Sequence, residues 1–184
     1  MNEKEAKKIS KFLSYVLRHH PELIGITLDK NGWTDIDLLI EKASNNGILF
    51  QRAELDFIVA TNSKKRFALN ENGDKIRASQ GHSINIELGY TAQKPPAILY
   101  HGTGLQFIDS ILATGIEKKS RQFVHLSEDI HTAKQVGQRQ GKPFLFTVLA
   151  EEMHKEKFEF YLSDNGVWLT DHVPTKYLRT PAVE

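Results

Sequence analysis

The hydrophobic period of this chain changes near residue 62, and that change constrains the fold more than any other feature. Before it, apolar residues recur at helical spacing. After it, short apolar runs alternate with turns rich in glycine and asparagine. A helical pattern cannot be laid down as a strand, because successive strand side chains point to opposite faces. Helices first and short strands later place the chain in the α+β class.

Residues 3–19 predict an amphipathic helix with Ile9, Phe12, Leu13, Val16 and Leu17 on one face. It must end near His20, because Pro21 disfavours helical conformation in the residue before it. A second helix, capped by Thr34 or Asp35, turns Ile36, Leu38, Leu39 and Ala43 inward and stops at Asn46-Gly47. A third covers about 52–62 with Leu55, Ile58 and Val59. Arg66–Leu69 and Lys75–Ala78 then read as strands around the turn-rich Asn70–Asp74. Three helices and a hairpin outline a winged helix, generically a nucleic-acid binder, although fold alone is weak warrant for function. Gly81, Gly89 and Pro95-Pro96 mark a lobe boundary, so lobes are expected over 1–93 and 94–184. The second reads as sheet-rich, with strands near 97–100, 123–126, 143–149, 158–161 and 166–169 and helices near 104–113 and 129–140.

With 40% apolar and 26% charged residues, the 184-residue chain has the composition of a soluble globular protein. It has no cysteine, which excludes disulfides and thiolate metal sites. The start, MNEKEAKKIS, has no apolar signal core, and no apolar run is long enough to span a membrane. A cytoplasmic protein without membrane association is expected. Net charge is +1, with 13 basic and 12 acidic residues up to Gln93 and 11 of each after it. An anionic partner must therefore be held by a few placed cations, which suits a local phosphate better than a long duplex. The eight histidines lack metal-ligand spacing, so a zinc site is not expected.

Several clusters could carry chemistry. Arg18-His19 fall in the last turn of the first helix, where the helix dipole favours cations for structural reasons alone. Lys64-Lys65-Arg66 open the hairpin, and such a cluster is often only solvated surface. Arg77-Ala78-Ser79-Gln80-Gly81-His82-Ser83 is either a turn or a set of hydroxyl, amide and imidazole donors to a sugar or phosphate. The strand over Ala97–Tyr100 is expected to stop at His101-Gly102-Thr103-Gly104. A helix apolar at Phe107, Ile108, Ile111 and Leu112 then follows, closed by Gly115. In that reading Gly102 lets backbone approach a ligand, and the N–H groups opening the helix suit a pyrophosphate. The basic residues Lys118, Lys119 and Arg121 precede His125-Leu126-Ser127. No Walker or dinucleotide fingerprint is present. Trp168, beside the Asn165-Gly166 turn signal, reads as core, and Glu151, Glu152, Glu156 and Glu159 as a solvated helix face.

The segments LSYVLRHHPE, LDKNGWTDIDLLI, KKRFAL, IRASQGHS, LYHGT, RQFVHLS, VGQRQGKPF and SDNGVWLTDHVP resemble the successive signatures of the RNA 2′-phosphotransferase family, the tRNA 2′-phosphotransferases. The resemblance runs from about Ser10 to Tyr177. It implies an N-terminal winged-helix lobe that binds RNA and its 2′-phosphate, followed by an ADP-ribosyltransferase-like lobe that binds NAD. The implied reaction removes an internal RNA 2′-phosphate of the kind met in tRNA splicing, with NAD⁺ consumed as co-substrate and no metal. A phosphate oxygen first attacks the ribose carbon that bears nicotinamide. The 2″-hydroxyl of that ribose then attacks phosphorus, releasing RNA with a free 2′-OH and ADP-ribose 1″,2″-cyclic phosphate.

By motif, the family's catalytic set maps onto Arg18, His19, Arg66 and Arg121. The resemblance further implies NAD contacts at His101, Gly102, Thr103, His125, Ser127 and Arg139. It implies RNA contacts at Lys64, Lys65, Arg77, Gln80, His82 and Ser83, in a protein expected to act as a monomer. Arginine suits a phosphate dianion, being planar, always charged and able to bind two oxygens at once. Protein-modifying ADP-ribosyltransferases usually carry a catalytic glutamate where this chain has Gly166-Val167-Trp168, and a phosphate nucleophile needs no such base. The rival readings are an ADP-ribosyltransferase acting on terminal nucleic-acid phosphates or protein, and a non-catalytic winged-helix nucleic-acid-binding protein.

Overall fold

A computed structural model describes residues 2–181. The chain divides between Gly89 and Tyr90 into two units, Met1–Gly89 and Tyr90–Glu184, each with its own hydrophobic core.

In the first unit, α1 (Glu3–Arg18) opens on a capping box. Asn2 Oδ1 accepts the Glu5 N–H, and Glu5 Oε2 accepts the Asn2 N–H, both at 2.9 Å. Such a cap contributes about 1 kcal/mol. Ile9, Leu13, Val16 and Leu17 are buried, with Phe12 packed at the margin of the core. Burying each of these large side chains stabilises the unit by roughly 1.5–3 kcal/mol. The helix stops at His19, and Pro21 opens a 3₁₀ turn (Pro21–Ile24) in its place.

β1 (Thr34–Asp35) leads into α2 (Ile36–Asn45), whose cap is Asp35: its carboxylate accepts the Leu38 N–H at 2.8 Å. Ile36, Leu39 and Ala43 line the core, but Leu38, expected inward, is 37% exposed. It lies one position off the stripe that Ile36, Leu39 and Ala43 share. α3 (Arg52–Thr61), β2 (Phe67–Leu69) and β3 (Lys75–Ala78) complete the set, with an antiparallel sheet ordered β1-β3-β2. The segment after β3 is bound into this unit. Ser79 N–H donates to Arg66 O, Ser83 N–H to Arg18 O and Glu87 N–H to Lys30 O, while Ile86 and Leu88 are buried.

The second unit begins with β4 (Leu99–Gly104), a 3₁₀ turn (Leu105–Phe107), α4 (Ile108–Thr114) and β5 (Ile116–Glu117). β6 (Val124–Leu126), α5 (Ile130–Gly137), a 3₁₀ turn (Gln138–Gln140) and β7 (Pro143–Val148) follow. Then come α6 (Ala150–Lys155), β8 (Tyr161–Leu162), β9 (Trp168–Thr170), β10 (His172–Val173), a 3₁₀ turn (Thr175–Tyr177) and β11 (Leu178–Arg179). The strands form antiparallel sheets ordered β11-β7-β4, β6-β9-β8 and β10-β5. A bridge between Tyr100 and Ser127 ties β4 to the end of β6. Trp168 is core, as expected.

Three expectations are corrected here. The strand does not stop before His101: His101, Gly102, Thr103 and Gly104 pair with Phe146, Leu145, Phe144 and Pro143 inside β4. Gly102 serves packing, because a Cβ there would lie 1.6 Å from the Ala133 carbonyl oxygen of α5. Gly137 answers it from the helix side, 2.9 Å from Thr103 O on the same measure. Gly102 and Gly137 thus let α5 pack closely against β4. Finally, Glu156 and Glu159 lie beyond α6. Glu156 pairs with Lys176 at 2.7 Å, and Glu159 accepts the Tyr161 hydroxyl at 2.8 Å.

Candidate active site

In the first unit, the Pro21 stop sets Arg18 and His19 at the very end of α1. The Gln80–Ser83 turn closes over them. Ser83 donates its N–H to Arg18 O at 3.0 Å, and its hydroxyl lies 2.9 Å from His19 Nδ1. Gly81 has φ +89, a conformation that side chains rarely adopt, and the Arg18 guanidinium packs at ordinary contact distance over the place a Cβ would occupy.

His82 is the unusual member. It is 1% exposed, and neither ring nitrogen has a hydrogen-bond partner among the described residues. Burial first, then the charges of Arg18, His19 and Arg77, pull its pKa to about 4, so the ring is neutral near pH 7. Two unpartnered buried nitrogens cost on the order of 1–3 kcal/mol each, which marks a group held for something other than stability. Gln80 Oε1 is likewise buried without a partner.

Arg66 enters from the start of β2. Its backbone carbonyl is held by Ser79 N–H at 2.9 Å, which extends the β2–β3 register by one pair, and its Nη1 reaches Asn62 Oδ1 at 3.5 Å. Lys65 before it has φ +40 and gives its carbonyl to the Ser79 hydroxyl at 2.8 Å; Lys64 and Lys65 are exposed. Arg77 turns toward the protein, over the Trp33 ring at 4.6 Å, with Nη1 donating to Leu88 O at 3.1 Å. It clamps the returning segment that carries His82.

In the second unit, β4 supplies His101, β6 supplies His125, and the turn between β5 and β6 supplies Arg121. His101 Nδ1 lies 3.3 Å from the His125 carbonyl, which can only accept, so the proton sits on Nδ1 and Nε2 keeps its lone pair. Burial, with a smaller effect of Arg121, holds the His101 pKa below its ordinary value. Arg121 Nη1 lies 3.2 Å from His125 Nδ1. Arginine can only donate, so His125 accepts through Nδ1 and carries its proton on Nε2. The Arg121 pKa is lowered by partial burial of its guanidinium and then by the charge of Arg139, although the residue as a whole is exposed. Two guanidiniums that feel each other across this face would be relieved by an anion. Thr103 is buried in β4, Ser127 pairs its backbone with Tyr100, and Gly102 packs against α5.

A family model described as RNA 2′-phosphotransferase, Tpt1 / KptA family, matches residues 4–172. The chain belongs to this family. Every candidate residue of the RNA 2′-phosphotransferase site, from Arg18 to Arg139, lies inside that span. Proteins described as probable RNA 2′-phosphotransferases are similar along essentially their whole length. One from Flavobacterium johnsoniae is 54% identical over 178 residues, 97% of this chain and 98% of its own. One from Streptomyces coelicolor is 49% identical over 182 residues, 99% of each chain. A third, from Hahella chejuensis, is 51% identical over 176 residues, 96% of this chain and 95% of its own. Family membership makes the chain a transferase. Among the described residues, no group of three or more His, Cys, Asp or Glu is arranged to hold a metal. Nor is any helix long and apolar enough to cross a membrane.

Sequence reading passed over two side chains that brace this candidate site. Asn62 receives both Arg66 and the Lys64 N–H, the latter at 3.0 Å. An asparagine closing a helix just before a basic triplet is a turn signal that could have exposed it. Glu128 accepts the Trp168 indole N–H at 2.6 Å and anchors the chain beyond Ser127. Nothing local in the sequence pairs those two.

Proposed function

We propose that this protein removes an internal 2′-phosphate from RNA by transferring it to NAD⁺ in two steps. The RNA phosphate oxygen attacks the ribose carbon bearing nicotinamide, and nicotinamide departs. The neighbouring 2″-hydroxyl then attacks phosphorus, the RNA 2′-oxygen takes a proton, and ADP-ribose 1″,2″-cyclic phosphate leaves. In fold terms the reading is a winged-helix lobe bound to RNA and an ADP-ribosyltransferase-like lobe bound to NAD. The protein then works as a monomer in the cytoplasm.

The observation that carries this reading is the Arg18–His19 pair under the Gln80–Ser83 turn, with a buried, neutral and unpartnered His82 beside it. A phosphate dianion brings acceptor oxygens to a place already lined with guanidinium, imidazole and hydroxyl donors. NAD fits the residues of the second unit. The Arg121–Arg139 pair suits phosphate charge, and His101 Nε2 is a fixed acceptor for a hydroxyl or amide proton. In the roles proposed, Arg18, Arg66 and Arg121 stabilise charge on the phosphoryl oxygens, and His19 donates to phosphate or to the leaving 2′-oxygen. The loss of any one arginine should cost on the order of 3 kcal/mol, about 10²-fold in rate.

The test is incubation with NAD⁺ and an RNA carrying one internal 2′-phosphate. Free nicotinamide, dephosphorylated RNA and the cyclic phosphate are expected. Nicotinamide release that stops at an ADP-ribosylated RNA would move the protein to the one-step transferases. No NAD⁺ turnover at all would leave only binding.

A further inference from the structure

Pro21 does more than end α1. The His19 N–H makes the last regular helical bond, to the Tyr15 carbonyl at 3.1 Å, and the His20 N–H folds back onto the same carbonyl at 3.2 Å. Three rings gather as a result. Tyr15 and His20 have centroids 4.8 Å apart, and the His19 ring lies 6.5 Å from Tyr15 and 6.4 Å from His20. His20 is braced by Glu22, which meets its Nδ1 at 2.9 Å. Tyr15 is 49% exposed and takes no part in the core of the first unit, so burial does not explain it. One end of this ring surface is His19, which also touches Ser83 in the site above.

We propose that Tyr15 and His20 form a stacking platform for an RNA base that flanks the 2′-phosphorylated nucleotide. The proposal rests on the phosphotransferase reading and adds a base subsite to it. Unstacked RNA bases are held on Tyr and His rings, and every base offers a π-face, so such a platform grips RNA without choosing sequence. Its place beside His19 is where a base must sit if the neighbouring phosphate is at Arg18 and His19. The rings are tilted, at 44°, so they make an angled edge for one base, not a slot between two. Glu22 is tied to His20, which limits the repulsion its carboxylate would offer a phosphate backbone.

Two measurements decide it. The first is steady-state turnover of a short 2′-phosphorylated RNA, with and without the flanking base. Tyr15→Ala should raise KM about 10-fold on the intact RNA, as expected for a lost base stack, and leave the abasic RNA unchanged. Tyr15→Phe, which keeps the ring, should behave as the parent. Equal losses on both RNAs, or none on either, would overturn the platform. The second is fluorescence of the same RNA with 2-aminopurine as the flanking base. The parent should quench it on binding, and Tyr15→Ala should not; quenching that survives Tyr15→Ala also overturns the platform. This binding arm needs no turnover, so a parent that quenches but never releases nicotinamide would sink the reaction and keep the platform.

Discussion

Arg121 and His125 are joined by a hydrogen bond whose direction is forced: the guanidinium Nη1 donates, and His125 Nδ1, 3.2 Å away, accepts. His125 therefore acts on the proposed chemistry through Arg121 as well as directly. Asparagine places an acceptor where Nδ1 sits, whereas leucine places none. His125→Asn is expected to keep more kcat than His125→Leu, which should fall toward the level of Arg121→Ala, about 10²-fold below the parent. Rapid-quench analysis of the RNA should show ADP-ribosylated intermediate accumulating in Arg121→Ala. Equal slowing of both steps would count against a role in the second.

His82 should make stability depend on pH. Its pKa in the folded chain, about 4, lies below the ordinary histidine value of 6.5, so the unfolded chain takes up the proton first as pH falls. The contribution is fully present above 6.5 and is lost on going down toward 4. The total is about 3 kcal/mol. Urea midpoints between pH 7 and 4.5 would reveal it, and His82→Leu should flatten that part of the profile. This variant also removes two unpartnered nitrogens, so at pH 5 it should be at least as stable as the parent.

Gly102→Ala separates packing from ligand access. The added methyl would sit 1.6 Å from the Ala133 carbonyl oxygen, which forces α5 off β4. A loss of about 3 kcal/mol or more in unfolding free energy is expected. A variant with parental stability and weakened NAD binding would instead place this glycine against the ligand.

Lys118 and Asp171 form an ion pair that continues the β5–β10 ladder by one step beyond Glu117 and His172. The turn it anchors runs from Lys118 to Arg121, closed by Arg121 N–H on Lys118 O at 3.0 Å, with Lys119 at φ +52. Both partners are well exposed, so Asp171→Ala should change stability by about 1 kcal/mol at most. Activity should fall several-fold more than that stability loss explains, and raised salt should affect the parent more than the variant.

Much of the candidate site was legible because its parts are local. Arg18 and His19 are set by a helix and the proline that ends it, Arg66 by the strand it precedes, and the Gln80–Ser83 turn by Gly81. The packing role of Gly102 was not legible, because its neighbour, Ala133, lies 31 positions away and leaves no mark on the local pattern. β1, β5, β10 and β11 have two residues each, too short for any period to declare itself. Leu38 is apolar yet exposed, since one step of helix rotation separates it from the buried stripe.

By itself, then, the sequence determined the α+β class, the three leading helices, the order of the family's motifs and the cations of the candidate site. Each depends on neighbours within a few residues, where side-chain period, proline and glycine act directly on the backbone. Tertiary structure decided the rest: that His82 is buried and neutral, that His125 accepts from Arg121, and that Gly102 packs against α5. Those outcomes depend on which distant groups crowd a side chain, because desolvation, charge and steric contact act through space.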